Sequence, residues 1–286
     1  MKSLIADPKF SIKKSQTKLD TFTDDEAKDE LKKVRKKLSN LQEKLYAHGK
    51  YSVLICLQGM DTSGKDSLIR EVFKKFNTSG IEVHSFKVPT EIELKHDFLW
   101  RHYLVLPPRG KFGIFNRTHY ENVLVTKVHP EYILGENIPD IESVNDIDDD
   151  FWEARYEQIR NFEKHLTDNG TLVFKFFLNL SKDEQKRRLI RRIEKEEKNW
   201  KFSSSDLKER KLWDEYQVCY EKAIKETSTE NAPWYVIPAD SKPMARYLVA
   251  KIILDKLETF KDIDEPELDA ETKSNLLSYL KQLNEE

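Results

Sequence analysis

A glycine-bearing loop early in the chain has residue types and spacing suited to holding phosphate. Residues 59–66 read Gly-Met-Asp-Thr-Ser-Gly-Lys-Asp, which fits the pattern G-x-x-x-x-G-K of a P-loop. In such a loop, successive backbone N–H groups surround phosphate oxygens, and the helix that follows adds its positive end. The lysine supplies a mobile cation to the transferring phosphoryl group. We therefore predict a catalytic Lys65 and phosphate contacts from Gly59, Met60, Thr62, Ser63 and Gly64; a chance match in a tight strand–helix turn is the alternative.

Two carboxylates make this loop unusual. The pattern calls for Ser or Thr after the lysine, yet the chain has Asp66 there, and Asp61 lies inside the loop. Two carboxylates in a phosphate cradle repel the substrate unless a cation bridges them or a proton is taken up. We predict that Asp61, together with Asp66, manages a metal ion or the approach of the acceptor. A helix-capping role is the alternative for Asp66.

The elements around the loop alternate between strand and helix. A continuous apolar run precedes the loop and an amphipathic stretch follows it, which is the context that the phosphate site requires. Strands are predicted over 52–57, 81–88, 112–115, 171–178 and 234–237, and helices over 23–48, 151–166, 182–200, 206–227 and 244–260. Such alternation predicts an α/β fold with a parallel sheet covered on both faces. We assign 1–50 to an N-terminal arm and a helix that packs on the core, and 51–286 to the P-loop domain.

Composition excludes several classes of protein. No stretch approaches eighteen consecutive apolar residues, which excludes a membrane span, and the N-terminus lacks the apolar core of a secretory signal. Cys56 and Cys219 are too few for a disulfide framework. They indicate buried thiols in a reduced compartment, so we expect a cytoplasmic protein. The seven histidines show no spacing typical of a zinc site.

Charge is distributed unevenly behind a formal net charge of −2. Residues 182–211 hold twelve Lys/Arg and seven Asp/Glu, whereas residues 136–150 hold seven Asp/Glu and no Lys or Arg. The charge of individual segments indicates the kind of partner better than the net charge of the whole chain does. The basic stretch is compatible with binding a polyanion. We expect 136–150 to be a solvated loop, because it lacks the alternating ligands and the glycine of a calcium loop.

Several further motifs complete a recognisable set. Together with the loop, the chain resembles the polyphosphate kinase 2 family in Leu99-Trp-Arg-His-Tyr103, Phe115-Asn-Arg-Thr-His-Tyr-Glu121, Trp200-Lys-Phe-Ser203 and Ala232-Pro-Trp-Tyr-Val-Ile-Pro-Ala239. The resemblance implies a thymidylate-kinase-like, three-layer P-loop kinase fold, Mg²⁺ or Mn²⁺ as cofactor, and a homo-oligomer. It also implies phosphoryl transfer between inorganic polyphosphate and nucleotides. The asparagine in the third-strand motif is most similar to the class III branch, which phosphorylates nucleoside mono- and diphosphates.

The third-strand motif supplies candidates for the metal and phosphate site. A P-loop kinase usually carries an aspartate for the metal where this chain has Asn116, and an amide binds Mg²⁺ only through a neutral oxygen or a water. We therefore predict Asp61 and Glu121 as metal ligands and keep Asn116 in the phosphate and nucleotide site. Arg117 is predicted to be catalytic, because ligands bind at the carboxyl edge of such sheets. A surface ion pair is the alternative for Arg117.

Two more residues complete the predicted nucleotide site, and two histidines are set aside. Arg101 is a candidate for contacting acceptor phosphates, and Glu131 is a candidate for the nucleotide pocket. His102 and His119 are expected to be packed and hydrogen-bonded, because perturbed groups of this kind are often structural.

The basic stretch is predicted to close over the phosphates. Arg187, Arg188 and Arg191 recur at helical steps after the fourth strand, where nucleotide kinases place a lid of arginines, and Lys201 extends the same surface. Closing a lid excludes water and stabilises the charge of the transferring group. We therefore predict a phosphate-binding lid over about 182–212. A solvated charged face and a nucleic-acid-binding surface are the alternatives.

These observations predict an enzyme. It is expected to be a polyphosphate-dependent nucleotide phosphotransferase that works by Mg²⁺-assisted in-line transfer to acceptors of the AMP/ADP or GMP/GDP type, without a protein nucleophile. Two rivals remain open. One is an ATP-dependent nucleoside monophosphate kinase on the same fold, and the other is a non-catalytic P-loop protein that binds RNA or another polyanion.

Overall fold

A parallel sheet lies at the centre of the molecule. The computed structural model of this chain describes residues 2–286. In this range five parallel strands lie in the order β2-β3-β1-β4-β5. All seven residues of the central strand β1 are buried, as its continuous apolar run predicts. The strands are β1 Ser52–Gln58, β2 Ile81–Ser85, β3 Phe112–Asn116, β4 Thr171–Asn179 and β5 Trp234–Pro238.

Eleven α-helices accompany the sheet within residues 2–286. They are α1 Asp24–His48, α2 Lys65–Val72, α3 Trp100–Tyr103, α4 Glu121–Val128, α5 Asp149–Asp168, α6 Lys182–Glu194, α7 Glu196–Asn199, α8 Ser204–Lys211, α9 Trp213–Thr227, α10 Lys242–Leu257 and α11 Ala270–Glu285. No helix in this range is both long enough and apolar enough to cross a membrane.

Helices cover the sheet on both faces. Phe176 of β4 packs in one apolar cluster with Leu38 and with residues of α2 and α10. The next residue, Phe177, packs in a second cluster with Tyr156 and with residues of α4 and α9. Successive residues of a strand point to opposite faces, so one strand contributes to both clusters. The predicted three-layer α/β fold is confirmed.

The first helix has the ends that the sequence predicts. The backbone N–H of Thr23 donates to the Glu26 carboxylate at 2.8 Å, and the Thr23 hydroxyl accepts from the Glu26 N–H at 3.3 Å, which together form a capping box. At the other end, Gly49 has a φ of 66°, the left-handed conformation that favours glycine after a helix. The helix α1 packs along α10.

The arm that precedes α1 crosses the carboxyl ends of two strands. Ile5 forms an antiparallel bridge with Tyr235 of β5. Farther along, the side chain of Asn179, at the end of β4, donates to the Gln16 carbonyl at 3.0 Å. The backbone N–H of Asp240 donates to the Thr17 carbonyl at 2.9 Å. The arm therefore reaches the sheet edge at which ligands bind in open α/β folds.

The structure differs from the predicted elements in a few places. The helix predicted over 206–227 is interrupted at Leu212, because α9 buries Trp213 and Tyr216 against the core while α8 has no buried residue. The strand predicted over 81–88 ends at Ser85. The helix predicted over 182–200 is broken at Lys195, and the helices α3, α4 and α11 were not predicted. The acidic stretch is mostly exposed, as predicted, and Asp148 in it caps α5 by accepting from the Phe151 N–H at 2.9 Å.

Candidate active site

The phosphate-binding loop lies between β1 and α2, and its glycines meet steric demands. Gly59 has a φ of 148°, and a Cβ added there would lie 3.0 Å from the carbonyl oxygen of Leu178. Gly64, the N-cap of α2, has a φ of 107°. Side chains are strained at such φ values, so both positions need glycine. Thr62 has a φ of 64°, which places strain within the loop itself.

The loop also holds polar groups that lack partners within residues 2–286. The hydroxyls of Thr62 and Ser63 are buried and make no hydrogen bond. The ammonium of Lys65 folds back and donates to the Gly59 carbonyl at 2.6 Å. Burial, reinforced by the Arg117 cation, lowers the pKa of Lys65 below its usual value. Buried hydroxyls without partners are costly, and a phosphate group could satisfy both of them.

Arg117 lies directly after β3 and bridges two carboxylates. Its φ is 59°, and its guanidinium lies 3.1 Å from the Asp61 carboxylate and 3.6 Å from that of Glu121. Although burial alone would lower it, the pKa of Arg117 is held above its usual value by Glu121 and Asp61. Gln58 fixes Glu121 by donating to it at 2.9 Å. The three residues predicted for catalysis and metal binding at this edge are therefore neighbours.

Asn116 joins the end of β3 to the start of α2. Its amide nitrogen donates to the Asp66 carboxylate at 2.8 Å, while its carbonyl oxygen is buried and has no partner within residues 2–286. In the same range, no group of three or more His, Cys, Asp or Glu side chains is arranged to hold a metal. The oxygen groups at this edge are the carboxylates of Asp61, Asp66 and Glu121 and the amide oxygen of Asn116.

The helix α6 approaches the loop from the β4 side. Arg188 is 7% exposed and donates to the carbonyls of Thr62 and Ser63 at 3.0 and 2.9 Å. Arg187 pairs with Glu184, and Arg191 forms no ion pair within the described chain. The ammonium of Lys201 lies 4.9 Å from the ring centroid of Trp200, and Trp200 is 78% exposed. The predicted lid arginines therefore differ in role, since Arg188 binds the loop and the others remain at the cleft.

A second group of cations at the cleft was not predicted from the sequence. Lys242 and Arg246 project from the first turns of α10, and Arg70 projects from α2. Neither Lys242 nor Arg246 forms an ion pair within residues 2–286. Burial and the neighbouring arginines Arg188, Arg246 and Arg191 lower the pKa of Lys242 to about 8. The sequence did contain an indication of these cations. The helix α10 begins directly after β5, and the carboxyl ends of parallel strands lie at the same sheet edge as the loop.

These groups line one open cleft of about 1320 Å³. The predicted site residues in its wall are Asp61, Thr62, Ser63, Gly64, Lys65, Asp66, Asn116, Arg117, Arg187, Arg188, Arg191 and Lys201. Gly59 and Met60, at the start of the loop, do not line the cleft, and Met60 is buried in the core. Glu121 does not line the cleft either, and its carboxylate lies 3.6 Å from the Arg117 guanidinium. Residues 59–66, the end of β3 and the lid are thus brought together from three distant parts of the chain.

Besides Gly59, Met60 and Glu121, two more predicted residues lie outside the cleft wall. Arg101 donates to the Lys87 carbonyl at 2.7 Å and pairs with Glu93 at 3.3 Å, so it supports the loop that carries Lys87 into the cleft. Glu131 is 55% exposed and lies 3.6 Å from His129. The predicted packing of two histidines is confirmed: His102 contacts the Phe98 carbonyl at 3.1 Å and His119 contacts a buried carboxylate at 3.2 Å.

The fold and the cleft together define a class of protein. A central parallel strand leads into a phosphate-binding loop with a helix behind it, and cations line the cleft on both sides of that loop. A phosphate-binding loop with positive charge concentrated on both sides of it is typical of phosphoryl transfer. The molecule is a phosphotransferase of the P-loop kinase fold.

Comparison with known proteins narrows this class to a family. The family model Polyphosphate kinase 2 (PPK2) matches residues 21–265, and the chain belongs to this family. The predicted family, and the predicted class of polyphosphate-dependent nucleotide phosphotransferase, are confirmed.

Similar proteins match most of this chain. An ADP-polyphosphate phosphotransferase of Rhodopseudomonas palustris is 46% identical over 96% of this chain and 94% of its own length. An AMP/ADP-polyphosphate phosphotransferase of Meiothermus ruber is 48% identical over 79% of both chains. The crystal structure of polyphosphate kinase 2 from Arthrobacter aurescens TC1 superposes with a TM-score of 0.87 at 36% identity, covering 97% of this chain and 95% of that one.

Proposed function

We propose that this enzyme transfers the terminal phosphoryl group of inorganic polyphosphate to both nucleoside monophosphates and nucleoside diphosphates, of the AMP/ADP or GMP/GDP type. The observation that carries the proposal is a group of cations beside the P-loop, Arg191, Lys242 and Arg246, which form no ion pair within residues 2–286. The name of the 48% identical relative, AMP/ADP-polyphosphate phosphotransferase, supports acceptors of both lengths.

The α10 side of the cleft is suited to the polyphosphate donor. Its wall near Lys242 consists of Asp240, Ser241 and Pro243, with Arg246 one helical turn farther along. A donor nucleotide needs a mainly apolar slot for its base, whereas a chain of phosphates needs successive cations. Lys242, kept partly desolvated among arginines, gains an anionic partner when polyphosphate binds. The composition of this wall supports polyphosphate over ATP as the donor.

The β2 and β3 side is suited to the acceptor. Arg117, Asn116, Ser85 and Lys87 line the cleft there, across the P-loop from α10. In-line transfer requires the attacking and leaving oxygens to lie on opposite sides of the moving phosphorus. A loop with cations on both sides supplies that arrangement, and the exposed ring of Trp200 in the lid offers a surface for a nucleobase.

The residues at the β3 edge fit a magnesium ion. Mg²⁺ prefers oxygen ligands and is usually held by one or two carboxylates together with substrate phosphates. Asp61 and Glu121 would supply the carboxylates. The buried oxygen of Asn116, which has no hydrogen-bond partner within residues 2–286, would supply a neutral ligand or a contact for bound water. When bound, the ion would neutralise charge on the phosphates.

The chain's own residues then account for transfer. An oxygen of the acceptor phosphate attacks the terminal phosphorus of polyphosphate, and the bridging oxygen leaves with the shortened chain, so no protein nucleophile is needed. Lys65 and Arg117 neutralise charge on the equatorial oxygens. The lid over about 182–212 excludes water, which would otherwise compete as acceptor.

The test compares donors and acceptors with purified protein. Polyphosphate or ATP is offered as donor, and AMP, ADP, GMP or GDP as acceptor, with product nucleotides separated by chromatography. We expect polyphosphate to convert AMP into ADP and ADP into ATP. Transfer from ATP alone would instead establish the nucleoside monophosphate kinase rival.

Variants separate catalysis from binding. Lys65→Ala is expected to abolish turnover, while Lys186→Gln, which removes an exposed charge from the lid helix α6, is expected to retain it. If the parent binds RNA or polyphosphate but transfers no phosphate, the binder is the correct reading. A homo-oligomer and a cytoplasmic location belong to the same proposal, and light scattering and cell fractionation test them.

A further inference from the structure

Arg188 differs from the other lid arginines in the destination of its hydrogen bonds. An arginine carries five N–H groups, and all five of Arg188 have protein acceptors. Nε donates to the Glu184 carboxylate at 2.7 Å. Nη1 donates to the carbonyls of Thr62 and Ser63, and Nη2 donates to those of Ala239 and Asp240 at 2.7 and 3.0 Å. No donor of Arg188 is left for a substrate phosphate.

These bonds join three segments that are distant in sequence. Thr62 and Ser63 belong to the P-loop, Ala239 and Asp240 follow β5, and Glu184 lies one turn before Arg188 on α6. Four of the five acceptors are backbone carbonyls, so these hydrogen bonds hold the main chain directly. Arg188 therefore fixes where the loop lies relative to the lid helix and to the start of α10.

The contact with the loop bears on how the loop presents its N–H groups. The C=O and N–H of a trans peptide point in opposite directions. When the Ser63 carbonyl points to Arg188, the N–H of Gly64 is turned to the opposite side. Thr62 also has a φ of 64°, and such a conformation persists only where the surroundings hold it. The guanidinium of Arg188 provides that support.

The N-terminal arm extends the same chain of contacts. The Asp240 carboxylate accepts from the Thr17 hydroxyl at 2.8 Å and from the Ser181 N–H at 2.8 Å, while the Asp240 carbonyl accepts from Arg188. The arm, the start of α6 and the P-loop are thus connected through Asp240 and Arg188.

We propose that Arg188 is a positioning residue, which holds the P-loop main chain in its phosphate-binding shape and links it to the lid helix and the N-terminal arm, without contacting phosphate. The proposal rests on the proposed function for its kinetic consequences. It assigns phosphate contact on α6 to Arg187 and Arg191. Arg188 therefore has a different role from these two arginines, although the sequence pattern gives all three the same one.

The kinetic test uses Arg188→Lys, Arg188→Gln and, for comparison, Arg191→Gln. Misplacement of reacting groups by about 1 Å can cost about 100-fold in rate, so we expect kcat to fall by about that factor in both Arg188 variants, with the KM for polyphosphate little changed. Lysine cannot reproduce the five hydrogen bonds of the planar guanidinium, so Arg188→Lys should not restore kcat. Arg191→Gln should instead raise the KM for polyphosphate. A raised KM with rescue by lysine at position 188 would overturn the proposal.

Hydrogen exchange gives a second readout that does not depend on activity. In wild-type protein and in Arg188→Lys, exchange is followed in peptides covering residues 59–66 and, as a reference, β1. We expect faster exchange in the loop alone, and unchanged loop exchange in a folded variant would contradict the positioning role. Asp240→Asn is expected to reproduce the effect more weakly if Arg188 variants fail to fold, and an unaffected loop would again contradict it. Failure of wild-type protein to use polyphosphate would refute the proposed function and leave this measurement intact.

Discussion

The ammonium of Lys175 lies 2.6 Å from the carboxylate of Glu163, and both side chains are buried from solvent. Glu163 also accepts from the Tyr120 hydroxyl at 2.6 Å and contacts His119 at 3.2 Å. Burial opposes the charge on Glu163, but Lys175 and His119 hold its pKa below its usual value. His119 and Tyr120 lie between Arg117 and Glu121 in sequence, so this buried network anchors the segment that carries the β3 side of the cleft.

The first prediction concerns the stability that this pair supports. Lys175→Met leaves Glu163 buried without its cation, and breaking a buried pair in this way costs about 3–5 kcal/mol of unfolding free energy. Urea unfolding measures the change. Lys164→Met, which disrupts an exposed pair with Asp168 on the same helix as Glu163, is the control and should change little. Equal losses from the two substitutions would contradict the prediction.

The second prediction concerns pH. The pKa of Lys242 is lowered to about 8, so its charge is complete well below that pH and is lost as pH rises through it. We expect the KM for polyphosphate to rise above pH 8 in wild-type protein. Lys242→Arg keeps the charge and should flatten this rise, whereas Lys256→Gln, an exposed position on α10, should not. A rise of the same size in Lys242→Arg would exclude Lys242 as its source.

The third prediction contrasts two glycines. In Gly59→Ala the backbone has a φ of 148° and the added Cβ lies 3.0 Å from the Leu178 carbonyl oxygen. In Gly49→Ala the φ is 66° and the added Cβ has no atom within 4 Å. Strained conformations cost about 1–3 kcal/mol, so both should lower the free energy of unfolding. Only Gly59→Ala should also abolish transfer, because relief of the clash moves the phosphate loop. Full activity in Gly59→Ala, measured by ATP formation, would show that the close approach has no role.

The fourth prediction tests the proposed metal ligands. Asp61→Asn keeps the shape and removes the charge, and losing even a residue that supports a metal ligand commonly costs about 10–100-fold in metal affinity. We expect the half-saturating concentration of Mg²⁺ in the transfer assay to rise by at least about tenfold. Asp183→Asn, at an exposed position on α6, serves as the matched control. An unchanged Mg²⁺ dependence in Asp61→Asn would remove this residue from the metal site.

Local patterns were sufficient for much of the fold. The buried strand before residues 59–66 and the helix over 23–48 depend on patterns of neighbouring residues, and both form as predicted. The break at Leu212 was not predictable in this way, because it depends on which side of the helix finds a core to pack against.

The site was harder to predict, because its residues come together only in three dimensions. The spacing of Arg187, Arg188 and Arg191 places them on one helix but cannot reveal that Arg188 finds four backbone carbonyls. Arg101 carries the right charge in a recognisable motif, yet its partners lie at Lys87 and Glu93. Lys242 was overlooked because only the sheet order brings the end of β5 to the cleft that the loop forms.

The bridge from Arg117 to Asp61 and Glu121 means that the resting site supplies its own counterions. Any anion that draws the guanidinium away uncovers two carboxylates, and any cation that occupies the carboxylates releases the guanidinium. Binding at this edge is therefore an exchange of partners rather than an addition. Each ligand prepares the site for the ligand of opposite charge, and thermodynamic linkage requires the preference to be mutual.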